Sequence, residues 1–187
     1  MRGDHRDDDL ELHERFGGPL VYLPQHFHHE RSIQTIREWN LDLLLNAAGP
    51  IYRKNLIEGC QAVILNCHMG ILPEVRGMNV AEWSVYLGYP IGNTVHVIDP
   101  GIDTGRIIAF FQEDSSGIED IDSLRQHLGS LNAVHLALIV KEYAEGEREF
   151  LSQSGTSGNQ YYRMHSRLKE RVNKKLQAGY SPTHDLR

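Results

Sequence analysis

Cysteine is scarce in this chain of 187 residues, which has only Cys60 and Cys67. Two thiols cannot build a disulfide scaffold, so a reducing compartment, the cytoplasm, is the default expectation. Long apolar runs are missing as well. The longest, such as Leu136–Val140, hold about five residues, whereas a membrane-spanning helix needs roughly twenty, so no transmembrane segment is expected. The opening MRGDHRDDDLELHER is too polar for a signal peptide. Net positive charge is absent: the formal balance is −6, which argues against a general nucleic-acid binder. No G-x-G-x-x-G fingerprint and no internal repeat occurs. Apolar residues nevertheless make up 40% of the chain and charged residues 24%, enough for a packed core and too little charge for wholesale disorder.

The chain divides into three stretches. Residues 1–18 form a polar, acidic leader without clear period. Residues 19–150 alternate strand and helix signals. Leu20–Leu23, Leu41–Leu45, Ala62–Leu65, Asn93–Ile98 and Ile107–Phe111 read as strands, and the continuous apolar character of Ala62–Leu65 suits a strand buried on both faces of a parallel sheet. Between them, Ser32 is placed to cap a helix bearing Ile33, Ile36 and Trp39, and Ile51–Gly59 reads as a short helix. Asn79 with Glu82 resembles a capping box for a helix that Gly88 stops. Asp120 or Asp122 can cap a long helix with Leu124, Leu128, Leu131, His135 and Leu138 on one face. Residues 151–187 are a Gly/Ser linker followed by a basic tail. Arg163, Arg167, Lys169, Arg171, Lys174 and Lys175 stand against Glu170 alone, a local charge of +5 that leaves the remainder at −11. Strand–helix alternation predicts an α/β fold with a mainly parallel sheet and a C-terminal basic helical tail.

Asn66-Cys67-His68 follows directly on the third strand. Residues two apart on a strand share a face, so Asn66 and His68 look into one space while Cys67 turns to the core. The crevice beyond the strand ends is where open α/β sheets bind ligands. Asp99-Pro100-Gly101-Ile102-Asp103-Thr104-Gly105 is a tight loop bearing two carboxylates between two strands. Each piece is ordinary alone; together with Leu72-Pro73 and Arg76-Gly77 they form a specific pattern.

That pattern resembles the signature region of the formyltetrahydrofolate-dependent formyltransferases: Asn-x-His (Asn66, His68), Leu-Pro (Leu72, Pro73), a Gly (Gly77), Thr-x-His (Thr94, His96) and Asp-x-Gly (Asp103, Gly105), within similarity over roughly residues 20–145. The resemblance implies a Rossmann-like formyltransferase fold and passage of a formyl group from 10-formyltetrahydrofolate to a small-molecule amine. The amine attacks the formyl carbon and creates an oxyanion, for which Asn66 and protonated His68 would be donors. Asp103 would favour the imidazolium and take or relay the proton the amine loses. His96 matches a further family histidine, with a structural or a catalytic role equally open. By position in the family, the pterin would lie against the backbone of Ala48, Gly49, Pro50, Ile51 and Tyr52 and of Ile98, Asp99, Pro100, Gly101 and Ile102. The same triad would also serve a formyltetrahydrofolate hydrolase.

Other residues point elsewhere less strongly. His26, His28 and His29 share one loop without an acidic partner at fixed spacing, so solvated histidines are a better reading than a metal site. The basic tail could touch phosphate, but a helix packed on the domain is simpler. The family's usual opening strand and Gly/Ser-rich loop find no counterpart before Leu20, so an N-terminally incomplete version of the fold is expected. Truncation of the chain, completion of the sheet by a homodimer, and a shortened non-catalytic remnant that binds folate or a partner are the competing explanations.

Overall fold

The computed structural model describes residues 26–46, 51–146 and 158–185. The leader, the expected strand at Leu20–Leu23, the loop residues Ala48, Gly49 and Pro50, and most of the expected linker lie outside the described residues. In chain order the elements are α1 (Glu30–Glu38), β1 (Leu43–Asn46), α2 (Lys54–Gly59), β2 (Val63–His68), β3 (Val75–Gly77), α3 (Val80–Leu87), β4 (Gly92–Val97), β5 (Ile107–Gln112), α4 (Ile121–Ala144), β6 (Asn159–Tyr161) and α5 (Ser166–Gln177).

The larger sheet has the order β1-β2-β4-β5, and its architecture is α/β as expected. Its pairings are mixed: β1 and β2 run parallel, while β2–β4 and β4–β5 are antiparallel. A continuous apolar run marks burial on both faces and leaves strand direction open, which is why the larger sheet is parallel at β1–β2 and antiparallel at its other pairings. β3 and β6 form a separate parallel pair.

One face of the sheet is closed by α4, where Leu65, Cys67, Val95 and Ile108 pack with Leu136 and Ile139. The other face carries α1 and α2, with Ile33, Ile36, Leu56 and Ile64 in contact. A third cluster joins α3, α4 and α5 through Val85, Leu124, Leu128, Met164, Val172 and Leu176. Burying each such side chain is worth roughly 1.5–3 kcal/mol. The basic helix therefore packs into the domain, and its charges are partly used there. Lys175 Nζ donates to the carbonyls of Val85 and Tyr86 at 3.1 and 2.8 Å, satisfying the exposed end of α3. Lys169 lies 3.9 Å from the buried carboxylate of Glu82, which also pairs with Arg125.

Several local expectations shift. His29, not Ser32, caps α1. Asp120 does cap α4, in a reciprocal capping box with Ser123. Asn79 caps α3 in the left-handed conformation without a side-chain cap, because its Oδ1 accepts the Met164 N–H at 2.9 Å instead. Leu138 is 45% exposed while Ile139 is buried. The core stripe of α4 thus drifts by one position over its 24 residues, as a 3.6-residue period requires.

Candidate active site

Strand register assembles the polar residues. Across the sheet Asn46 stands beside Asn66, and Asn66 beside His96. Asn46 Nδ2 donates to Asn66 Oδ1 at 2.9 Å. Asn66 Nδ2 lies 3.0 Å from His96 Nε2, and His96 Nδ1 lies 3.0 Å from the Val97 carbonyl. A carbonyl only accepts, so Nδ1 carries the proton, Nε2 is the bare nitrogen, and Asn66 donates to it.

Two loops supply the rest. Thr94, opposite His68 in the register, is fully buried; its hydroxyl donates to the Gly70 carbonyl at 2.6 Å and accepts the Leu72 N–H at 3.3 Å. It thereby folds the segment after β2 back over the strand end, so that the Val75 carbonyl accepts His68 Nε2–H at 2.9 Å. The Thr, Leu-Pro and His elements of the sequence pattern thus form one packed unit. In the second loop, Asp99 Oδ1 accepts from the Gly101 N–H at 3.0 Å and the Thr104 hydroxyl at 2.6 Å. A Cβ on Gly105 would stand 1.8 Å from the Val97 carbonyl oxygen, so only glycine lets the loop return this closely to β4. Asp103 is held at φ 54°, a conformation costly for a residue with a Cβ, and Gly77 N–H donates to its Oδ2 at 2.9 Å.

The outcome is one carboxylate facing two imidazoles. Asp103 Oδ2 is 3.6 Å from His68 Nδ1, and its Oδ1 is 3.6 Å from His96 Nε2. The two rings are perpendicular, with centroids 6.1 Å apart. Burial pushes His96 down to about 4, helped by the neighbouring His68 and only partly opposed by Asp103, so it is neutral at pH 7. Burial pushes the Cys67 thiol up to about 12, so it is protonated at pH 7, and its side chain packs on the α4 face at the edge of the cavity.

Asn66, His68 and Asp103 line one cavity of about 890 Å³, together with Ile51, Tyr52, Ile98, Asp99, Gly101 and Ile102. Pro100 belongs to the same loop but is not part of the lining. A smaller cavity of about 360 Å³ near Pro90 and Tyr180 contains none of these residues. The loop histidines are engaged locally: His28 Nε2–H donates to the Ile51 carbonyl at 3.0 Å, and His29 Nδ1 accepts from Arg31 N–H.

The cavity also takes residues that sequence reasoning missed. Asn46 is one; its sequence signal, a polar residue ending an apolar strand, acquires meaning only through the β1–β2 register. Gln160, Tyr161 and Tyr162 form another wall, brought there because β6 pairs with β3. The Trp83 indole donates to the Tyr162 carbonyl at 2.9 Å and its ring lies over Tyr161.

Residues 10–137 match the sequence profile of the formyl transferase family. The methionyl-tRNA formyltransferase of Citrifermentans bemidjiense is 31% identical over 136 residues, covering 72% of this chain and 42% of that protein. The methionyl-tRNA formyltransferase of Chloroflexus aggregans is 30% identical over 138 residues, covering 73% and 45%. The chain therefore spans less than half the length of these relatives. Among solved structures, the formyltransferase PseJ from Anoxybacillus kamchatkensis, in complex with UDP-4,6-dideoxy-4-formamido-L-AltNAc and tetrahydrofolate, superposes with a TM-score of 0.65 at 20% identity, covering 96% of this chain and 92% of that one. Glycinamide ribonucleotide transformylase 1 from Symbiobacterium toebii gives 0.62 at 21% identity, covering 76% and 74%. Likeness at these identities is a likeness of fold.

Proposed function

The chain belongs to the formyl transferase family, and from that premise we propose that it transfers a formyl group from 10-formyltetrahydrofolate to an amine of a small-molecule acceptor. The observation behind this reading is the convergence of Asn66, His68 and Asp103 on one cavity, with Asp103 Oδ2 3.6 Å from His68 Nδ1. The cavity's volume of about 890 Å³ falls within the usual range for small-molecule sites.

In this reading the formyl donor is a substrate whose ring lies against the loop of Ile98–Ile102. Ile98 and Ile102 offer apolar contact there, and Asp99 holds the turn rigid through Gly101 and Thr104. Ile51 and Tyr52 also line the cavity and supply the second contact. The amine attacks the formyl carbon, and charge develops on the formyl oxygen. Asn66 Nδ2 has two N–H groups; one is spent on His96, and the other is available to that oxygen. His68 Nε2–H is held by the Val75 carbonyl, so Nδ1 is the nitrogen that addresses both Asp103 and the reacting atoms. When that nitrogen is protonated it gives the oxyanion a charged donor. Asp103, anchored by Gly77 N–H, receives the amine's proton directly or through water. Collapse of the oxyanion then breaks the bond from the formyl carbon to N10 of the donor, and the proton passes to N10 as tetrahydrofolate leaves. Neutral His96 orients Asn66 and contributes no charge.

The test is tetrahydrofolate release from 10-formyltetrahydrofolate, with and without a panel of primary amines, by wild type and His68→Ala. Amine-dependent release that falls at least about 10²-fold in His68→Ala supports the reading. Release indifferent to the amine but lost in the variant would identify a hydrolase. Release unchanged by the substitution would remove His68 from the chemistry. Calorimetry with a non-reactive 5-deaza folate analogue checks the donor site separately, and a folded sample that shows no binding at millimolar ligand would overturn it.

A further inference from the structure

We propose that Asn46 is a positioning residue that sets the polarity of the Asn66 amide; the inference rests on the formyl-transfer reading above. An asparagine amide looks nearly the same in its two flipped orientations, yet the two have opposite chemistry. One presents N–H to a developing oxyanion, and the other presents a carbonyl oxygen that repels it. Something must therefore choose between them. In this protein strand register sets Asn46, Asn66 and His96 side by side, and a contact between neighbouring residues of β4 fixes the far end. At one end, His96 Nδ1–H is committed to the Val97 carbonyl at 3.0 Å, which leaves Nε2 able only to accept. Asn66 must then turn its Nδ2 toward His96, at 3.0 Å, and its Oδ1 toward β1. At the other end, Asn46 Nδ2 meets that Oδ1 at 2.9 Å. Every donor in the row Asn46–Asn66–His96–Val97 points the same way across three strands.

The alternative arrangement is at hand, which is why the donor on β1 matters. Asp103 Oδ1 sits 3.6 Å from His96 Nε2. A proton on Nε2 would be drawn to that carboxylate, and Asn66 would then face it with its oxygen. His68, also within the cluster, lies ring-perpendicular to His96. Asn46 holds the row in the first arrangement by occupying the one oxygen that the flipped amide would need to move.

The test exchanges the sign of this contact at constant size. Asn46→Asp turns the donor into an acceptor; Asn46→Ala removes it. The first readout, independent of turnover, is long-range ¹H–¹⁵N correlation of the His96 ring in the full chain at pH 7. Wild type should show a protonated Nδ1 and a bare Nε2. Asn46→Asp should draw the Asn66 Nδ2 to itself and move the His96 proton to Nε2, while Asn46→Ala keeps the wild-type tautomer. The second readout is the split of kinetic constants. Asn46→Asp should lower kcat about tenfold below Asn46→Ala, with KM for the formyl donor within about threefold, since the lost term acts on the transition state. A wild-type His96 protonated on Nε2 overturns the proposal without any variant, and so does Asn46→Asp with the wild-type tautomer and kcat. If the tautomer responds as expected but no variant or wild type transfers formyl groups, the proposed reaction fails and the polarity of the row stands, so the two failures are seen apart.

Discussion

Two buried histidines in this protein keep similar company in different surroundings. His96 receives an asparagine amide, from Asn66 at 3.0 Å, and faces a carboxylate, Asp103, at 3.6 Å. His135 receives an asparagine amide, from Asn93 at 3.2 Å, and faces a carboxylate, Glu113, at 3.4 Å. The surroundings separate them. His96 lines the 890 Å³ cavity with a second imidazole perpendicular to it. His135 lies flat on Phe111, with centroids 4.0 Å apart and planes 3° apart, and Asn93 is tied again to the Leu128 carbonyl. The carboxylates differ too. Asp103 is presented from a left-handed loop position, whereas Glu113 directly follows β5 and also lies 3.8 Å from His127. A histidine, an asparagine and an acid therefore do not define a reactive site. What sets the Asp103 cluster apart is the cavity it lines and a carboxylate presented from a left-handed loop position.

The sharpest way to break this comparison is to neutralise each acid. Asp103→Asn should lower formyl transfer by about 10²-fold or more, the scale of losing an acid–base group. Glu113→Gln should keep transfer within about threefold, because nothing in its cluster reaches the cavity. Tetrahydrofolate release by the two variants at matched folded concentration decides it. Equal losses in both, with unchanged melting, would make the two clusters functionally alike.

The ease with which these clusters could be read from the chain also differs. Asn66 and His68 were legible because a strand's two-residue period places them on one face, and Asp103 because Asp99, Gly101 and Gly105 form a loop whose chemistry is local. Asn46 was not, since its partner is 20 positions away and only the β1–β2 register joins them. β6 was hidden for a related reason. Three residues beside a Ser/Gly stretch have little strand propensity, and β3 supplies their pairing. Glu82 carried a capping signature and was instead buried under Arg125 and Lys169, while the Asn79 side chain is taken by the Met164 N–H of the segment leading into α5. Local chemistry was readable; what depends on which distant element arrives was not.

His96 is held near 4 in the folded chain, against an ordinary value of 6.5. Between those values the unfolded chain binds a proton that the folded one refuses. Stability therefore falls as pH drops through 6.5 toward 4 and is fully retained above 6.5. The integrated loss is about 3 kcal/mol. Burial also lowers His135, opposed by Glu113, so it adds in the same direction. Urea unfolding of wild type and His96→Gln from pH 7.5 to 4.5 should give a flatter profile for the variant. Parallel profiles would mean that His96 titrates alike in both states, and the burial argument for its neutrality would fail.

The smallest effect comes from placing one substitution at both histidines. Glutamine reproduces one edge of an imidazole: its oxygen can accept and its nitrogen can donate, both from the same end of the side chain. At His135 the partners also meet opposite ring nitrogens, Asn93 at Nδ1 and Glu113 at Nε2, so glutamine keeps only one of them, but neither group lines the cavity. The ring stacked on Phe111 is lost as well, worth about 0.5–1.5 kcal/mol. His135→Gln should then lower Tm by about 3 °C in a chain of this size and leave formyl transfer within about twofold. At His96 the same change must satisfy the Val97 carbonyl and Asn66 on opposite edges of the ring, which one amide cannot do. The row that orients Asn66 loses its fixed end, and kcat should fall about tenfold, the scale of a misdirected oxyanion donor. Differential scanning calorimetry and turnover on the same two samples give the answer. Were His135→Gln to lose activity at an unchanged Tm, the stacked cluster would be coupled to the reaction after all, and the distinction between the two histidines would have to rest on something other than the cavity.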